Sequence, residues 1–342
     1  MFKTYIAIGA ACGLAMGWVS AEVKMEAGVG MLKFTGGEGA GKGKHVVLLA
    51  GDEEYRSEES MPMLARILAE KHGFDTTVLF SGDEDGTINR KTTNSLMGAE
   101  ALDSADALVF LLRFRDWTDP AMEKFKAAVD RGIPLIALRT STHIFNFPKE
   151  SKWAEWSWNH ASGGFGKTVL GETWISHWGD HKAQATRGLI EPGQEKNPLL
   201  NGVADIFGDS DVYEAAPPKD ATLLLRGIVL KGMEPNGEPA DHKKKTAAGV
   251  EQGINDPAMP VAWTREVKNA AGTTNKVLTT TMGAATDLTN EGLRRLVVNG
   301  VFWGLDMNVP EKADVTIVGE FAATKYGFED GQNGKKAADF AK

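Results

Sequence analysis

The side chains able to do chemistry fall into short polar clusters. In Arg139-Thr140-Ser141-Thr142-His143 an apolar run ends in a guanidinium, three hydroxyls and an imidazole. Arginine presents a planar fork of donors, and histidine changes charge near neutral pH. Gly51-Asp52-Glu53-Glu54-Tyr55-Arg56 and Arg113-Phe114-Arg115-Asp116 add carboxylates and further arginines. Such a set suits a polyhydroxylated or anionic small molecule; paired with one another, the same residues would be scaffold. His177-Trp178-Gly179-Asp180-His181 sets two histidines four apart. That spacing fits one helix face and a shared zinc-type ion, although the Trp and Gly between them also suit a loop whose histidines bond carbonyls or substrate hydroxyls. Thr279-Thr280-Thr281-Met282-Gly283, with Asp287, Asn290 and Arg294, leads through glycine to a capped helix start. Its hydroxyls and N–H groups could hold a sugar or carboxylate or serve as a plain cap.

The elements that must position these clusters are strands alternating with helices. Strands are expected over 45–50, 76–80, 107–112 and 134–138, with helices over 57–72, 96–102 and 119–131 between them. This rhythm implies a parallel, doubly wound α/β sheet, in which ligands bind outside the carboxyl ends of the strands. The polar clusters stand at those ends. Residues 144–185 break the rhythm with Trp153, Trp156, Trp158, Trp174 and Trp178. This Trp-rich insertion leaves the sheet edge after His143 and should fold back as a lid, bringing His177 and His181 near His143 and Arg139. If no metal binds there, the three imidazoles should still face one pocket and titrate near about 6.5, lowered by the arginines. Further strands are expected over 187–191 and 221–230, a hairpin over 259–267 and 276–281, and a helix over 290–305. The polar, lysine-rich segment 233–256 reads as a mobile loop.

The chain has 342 residues, 42% apolar and 25% charged, ordinary for a globular protein. A net charge of −8 with no basic stripe argues against nucleic acid as a partner. Residues 1–21 read as a signal peptide: Lys3, an uncharged apolar stretch, then Val19-Ser20-Ala21 as a cleavage site. No later stretch is long enough for a membrane span. Cys12, the single cysteine, falls in that signal, so the mature chain would lack disulfides and thiolate nucleophiles. Residues 22–44 read as a flexible lead-in, 45–307 as the domain, and 308–342 as a tail with a weak strand at 315–318.

Taken in order, the clusters at 51–56, 113–116, 139–143, 177–181 and 279–283, together with Pro260-Val261-Ala262-Trp263-Thr264, resemble the trehalose-utilisation ThuA-like domain proteins, especially the exported type. The resemblance implies a class I glutamine amidotransferase-like, flavodoxin-like fold and a periplasmic or secreted role in carbohydrate metabolism. Where amidotransferases carry their nucleophilic cysteine this chain has Arg139, so glutamine hydrolysis is not expected. The family link to trehalose and 3-keto disaccharides points to lyase, isomerase or hydrolase chemistry. The candidate catalytic residues are His143, His177, Glu54 and Arg139. Asp52, Arg56, Arg113, Arg115, Thr142, Trp174, Thr281 and Asn290 are candidates for substrate binding. His177 and His181 are candidate ligands of a divalent metal such as zinc. A sugar-binding module, or an adaptor for an oxidoreductase partner touching the 233–256 loop, is the alternative.

Overall fold

The computed structural model describes residues 23–329 and 331–341; the expected signal segment, with Cys12, lies outside the described residues. A hairpin stands where the sequence led us to expect a flexible lead-in: β1 (Met25–Gly28) pairs with β2 (Met31–Phe34). Leu32 and Phe34 are buried and Lys33 between them is exposed. Two inward residues are too short an alternation to stand out from Gly- and Lys-rich surroundings.

The expected alternation follows. β3 (His45–Gly51), α1 (Ser57–His72), β4 (Asp75–Phe80), β5 (Ala107–Leu112), α2 (Asp119–Asp130) and β6 (Leu135–Leu138) come in turn. The stretch expected as a helix over 96–102 is instead a tight 3-10 turn at Ala99–Ser104. Along β3, Val46, Leu48 and Ala50 enter one core, while Val47 and Leu49 enter a second on the opposite face. That period of two lets one apolar strand feed both faces. One core also takes Leu64 and Leu68 of α1; the other takes Met122 and Phe125 of α2.

The chain continues through β7 (Thr186–Ile190), β8 (Phe207–Gly208), β9 (Thr222–Val229), β10 (Lys243–Lys245), β11 (Glu251–Gly253), β12 (Met259–Lys268), β13 (Thr274–Thr280) and α3 (Glu291–Gly304). The large sheet runs β1-β2-β4-β3-β5-β6-β13-β12-β9-β7-β8. Its centre, β4 to β13, is parallel, and both flanks are antiparallel. The sheet is therefore mixed rather than mainly parallel, because the lead-in hairpin extends one edge and β12, β9, β7 and β8 extend the other. β10 and β11 form a separate hairpin inside the segment expected as a mobile loop. Lys244 fastens it by donating to the carbonyls of His177 and Trp178, at 3.0 and 2.8 Å.

The insertion holds only short turns, and Trp153 and Trp178 are buried in it. No strand forms at 315–318, yet the tail is packed: Val315, Tyr326 and Ala337 are buried. No helix among the described residues is long and apolar enough to cross a membrane.

Candidate active site

Four central strands end at one edge, and each turns polar on leaving the sheet. After β3, Asp52 accepts N–H bonds from Glu54 and Tyr55 and a hydroxyl bond from Thr140. The resulting tight turn presents Glu54. After β13, Gly283 takes φ 135°, and a Cβ there would lie 2.8 Å from the Leu138 side chain, so this exit passes close over the end of β6. After β6, Arg139 sits in the left-handed region at φ 44°, a conformation costing about 1–3 kcal/mol for a residue with a Cβ. Its surroundings hold it there. The buried guanidinium donates to the carbonyls of Asp211 and Thr281, to Asp211 Oδ1 at 2.8 Å and to the Tyr55 hydroxyl at 3.1 Å. It lies 3.8 Å from the Tyr213 ring centre and 4.7 Å from that of Tyr55.

Asp211 is the hub. Its Oδ2 is 2.8 Å from His177 Nδ1, its Oδ1 is 2.9 Å from His181 Nδ1, and His181 Nε2 is 3.1 Å from Glu54 Oε1. The two imidazole centres are 4.6 Å apart. Burial alone would raise the Asp211 carboxyl, but Arg139 and the two imidazoles hold it well below the usual range. Glu54 follows the same pattern: burial pushes it up, and His181 brings it below its ordinary value. His181 is raised to about 9 by its hydrogen bonds to Asp211 and Glu54. With a carboxylate at each nitrogen it is an imidazolium.

His143 behaves in the opposite way. It is buried, and burial, then Arg113, Arg139 and His177, push it well below 6.5. The expectation that arginines would lower all the imidazoles therefore fails at His181, where two carboxylates in hydrogen-bond contact outweigh more distant cations. His143 and His177 share neighbours: Trp174 lies 5.8 Å from one and 5.7 Å from the other, and Tyr213 lies 6.3 and 5.5 Å away. The lid thus does bring the three histidines together, but His143 stands apart from the Asp211 hydrogen bonds, and its one side-chain hydrogen bond among the described residues is to the Thr142 hydroxyl, at 3.2 Å.

His177, His181 and Asp211 could hold a metal, since one ligand atom from each lies within 4.8 Å of the others. Two imidazoles and a carboxylate are a donor set suited to zinc. An ion there would have to displace the His181 proton and tolerate Arg139 beside Asp211. Such an ion would supply Lewis acidity toward a carbonyl oxygen.

Several residues expected to bind substrate have scaffold contacts. Arg115 is buried and bonds Glu53 at 2.8 Å and the carbonyls of Arg90 and Thr92. Arg113 pairs with the other oxygen of Glu53. Arg56 reaches into the tail, to Thr324, Gly327 and Glu329. Asn290 caps α3 by accepting from the Leu293 N–H at 3.0 Å. Asp52 and Thr142 are buried in their turns, and Thr281 offers its carbonyl to Arg139. Trp174 remains partly exposed beside the histidines.

Sequence reasoning missed Asp211 and Tyr213. Both lie between β8 and β9, in Asp209-Ser210-Asp211-Val212-Tyr213-Glu214, a stretch without a helix or strand period. Its one signal is the density of acids around a tyrosine.

The family model for ThuA, described as trehalose utilisation, matches residues 45–304. The chain belongs to that family, which ties it to carbohydrate metabolism. Among solved structures it is similar to a ThuA-like protein from Parabacteroides merdae, at 13% identity over 86% of this chain and 99% of that one, with a TM-score of 0.47. A ThuA-like protein from Bacteroides uniformis gives 14% identity over 78% and 93%, with a TM-score of 0.46. No curated protein matches the chain.

Proposed function

We propose that this is an exported, periplasmic or secreted protein that acts on trehalose-like or 3-keto disaccharides by acid–base chemistry. The observation that carries the reading is a single buried carboxylate, Asp211, shared by two partly exposed imidazoles at the carboxyl ends of the strands. The parallel strands follow the order β4-β3-β5-β6-β13, which supports a flavodoxin-like, amidotransferase-like reading of the sheet. On that reading, the left-handed turn at Arg139 would correspond to the place of an amidotransferase's cysteine. A guanidinium there removes the nucleophile and supplies the positive charge that anchors Asp211.

The roles divide by environment. His177 donates its Nδ1–H to Asp211, which leaves Nε2 without a hydrogen-bond partner among the described residues. That nitrogen acts as the base and takes the proton from the carbon next to the substrate ketone. The C–H electron pair moves to the ketone oxygen as an enolate. When it returns, the bond to the glycosidic oxygen breaks, and that oxygen takes a proton from His181. His181 is the acid because Asp211 and Glu54 keep it protonated. Arg139 positions Asp211, and Trp174 offers a flat face to a sugar ring.

The test is to incubate the purified protein with 3-keto-trehalose and related glycosides, with and without zinc, alongside His177→Ala. Glycosidic cleavage lost in the variant is expected. No turnover of any 3-keto glycoside would overturn the enzymatic reading, and tight glycan binding unchanged in the variant would favour a binding module.

A further inference from the structure

The tail lies outside the family-matched residues 45–304, yet it crosses the site edge and is fastened there. Arg56 donates to Thr324 Oγ1 at 3.1 Å and to the carbonyls of Gly327 and Glu329 at 2.8 and 2.9 Å. Arg90 donates to the same two carbonyls at 3.3 and 3.2 Å. Glu59 accepts from the Thr324 N–H and hydroxyl at 2.8 and 2.6 Å. The Gly327 N–H donates to the carbonyl of Glu54, the residue that faces His181, at 2.9 Å. So many charge-assisted bonds to main-chain atoms fix the path of the strap more tightly than a loose terminus needs.

The strap delivers two rings. Tyr326 lies 5.7 Å from His181 and 5.0 Å from Tyr55, with its hydroxyl on the Asp209 carbonyl at 2.9 Å. Phe328, exposed, lies 5.1 Å from the Arg113 guanidinium. From Arg113 the contacts continue to Phe114 at 4.4 Å, from there to Trp158 at 5.6 Å, and on to Trp174 at 6.1 Å. Trp174 touches His177, which touches His181, and so back to Tyr326. The strap closes this circuit through its main chain, where Gly327 joins Tyr326 to Phe328. Phe328 is exposed, Arg113, Phe114, Trp158, Trp174, His177 and His181 are partly exposed, and Tyr326 is buried beside them, as are Tyr213 and His143, which contact the circuit at His177, Phe114 and Trp174.

We propose that the strap turns an open groove into a cup rimmed by aromatic rings and the Arg113 guanidinium, so that the site admits the end of a carbohydrate and not a stretch in mid-chain. The inference rests on the carbohydrate reading above and goes beyond it by naming the substrate's topology. Aromatic rings give sugar faces a flat apolar surface, and a closed rim blocks a chain from passing through. Phe328 completes the rim without being buried, so its loss should open the cup and spare the fold.

The experiment titrates the full chain, with intrinsic tryptophan fluorescence as readout, against linear maltohexaose and a cyclic glucan of the same number of units. The wild type should favour the linear sugar by about tenfold or more, a difference of about 1.4 kcal/mol. Phe328→Ala should bind the cyclic glucan nearly as well as the linear one, and Phe328→Trp should restore the preference. Equal binding of the two sugars by the wild type, unchanged in Phe328→Ala, would overturn the cup and leave the carbohydrate reading standing. Binding of neither glucan would overturn the cup, and if 3-keto glycosides are not turned over or bound either, the carbohydrate reading falls with it.

Discussion

Two carboxylates at the same sheet edge make an instructive pair. Glu53 lies between Arg113 and Arg115, and Asp211 lies between Arg139, His177 and His181. Both collect several basic partners. Around Glu53 the partners are guanidiniums, which keep their protons at any physiological pH. Around Asp211 one guanidinium fixes the carboxylate and two imidazoles stand on the outer side, able to gain and lose protons. The first arrangement can hold a loop, and the second can move a proton. The number of ion pairs does not separate them; the type of partner does.

The largest contrast should appear in turnover. His177→Ala or His181→Ala removes an acid–base group and should lower kcat/KM on a 3-keto glycoside by about 10²–10⁴-fold. Arg113→Ala, on the Glu53 side, should cost less than about tenfold, because it removes no proton-transfer group. Steady-state kinetics on the three variants would break the comparison if Arg113→Ala proved the most damaging.

Stability should order the two carboxylates as well. Asp211→Ala strands a fully buried guanidinium, and breaking such a pair costs about 3–5 kcal/mol. Glu53→Ala leaves Arg115 with the carbonyls of Arg90, Thr92 and Arg113, so a loss of about 1.5–3 kcal/mol is expected for the charged hydrogen bonds removed. Urea unfolding monitored by fluorescence measures both, and equal losses would contradict the hub role of Asp211.

A third acid, Glu58, sharpens the contrast through pH. Burial pushes the Glu58 carboxyl from 4.5 to about 7. Its Oε2 has no hydrogen-bond partner among the described residues, and Arg90 Nε stands 3.9 Å from Oε1. The folded chain therefore holds this proton more tightly than the unfolded chain. The contribution favours folding below about pH 4.5, declines as pH rises toward about 7, and is lost above that. Glu58→Gln should raise the melting midpoint at pH 8 by roughly 2–4 °C or more and leave it unchanged at pH 4. A gain at both pH values would show that ionisation is not the cause.

Much of this was legible in the sequence. The runs at 45–50, 76–80, 107–112 and 134–138 announce central strands because both faces are buried, and the polar residues after them mark the site edge. The His177–His181 spacing points to two imidazoles that do meet, 4.6 Å apart, although they stand on a loop held by Lys244 and not on a helix. What sequence could not supply was the partner. Asp211 meets Arg139 across a separation of 72 residues, and a contact of that kind leaves no local period. For the same reason the tail could not be connected to Glu54, although Tyr326 and Phe328 stood in plain sight. The short lead-in hairpin was hidden because Leu32 and Phe34 find their burial only against a sheet formed later in the chain.

The account turns on where the proton sits between Asp211, His181 and Glu54. In metal-free protein labelled at its histidine side chains, an NMR titration should find the His181 ring doubly protonated at pH 7 and losing its proton near about 9, with that value lowered in Asp211→Asn. A His181 ring that titrates near about 6.5, the reference value for an unperturbed imidazole, and does not respond to Asp211→Asn would contradict it.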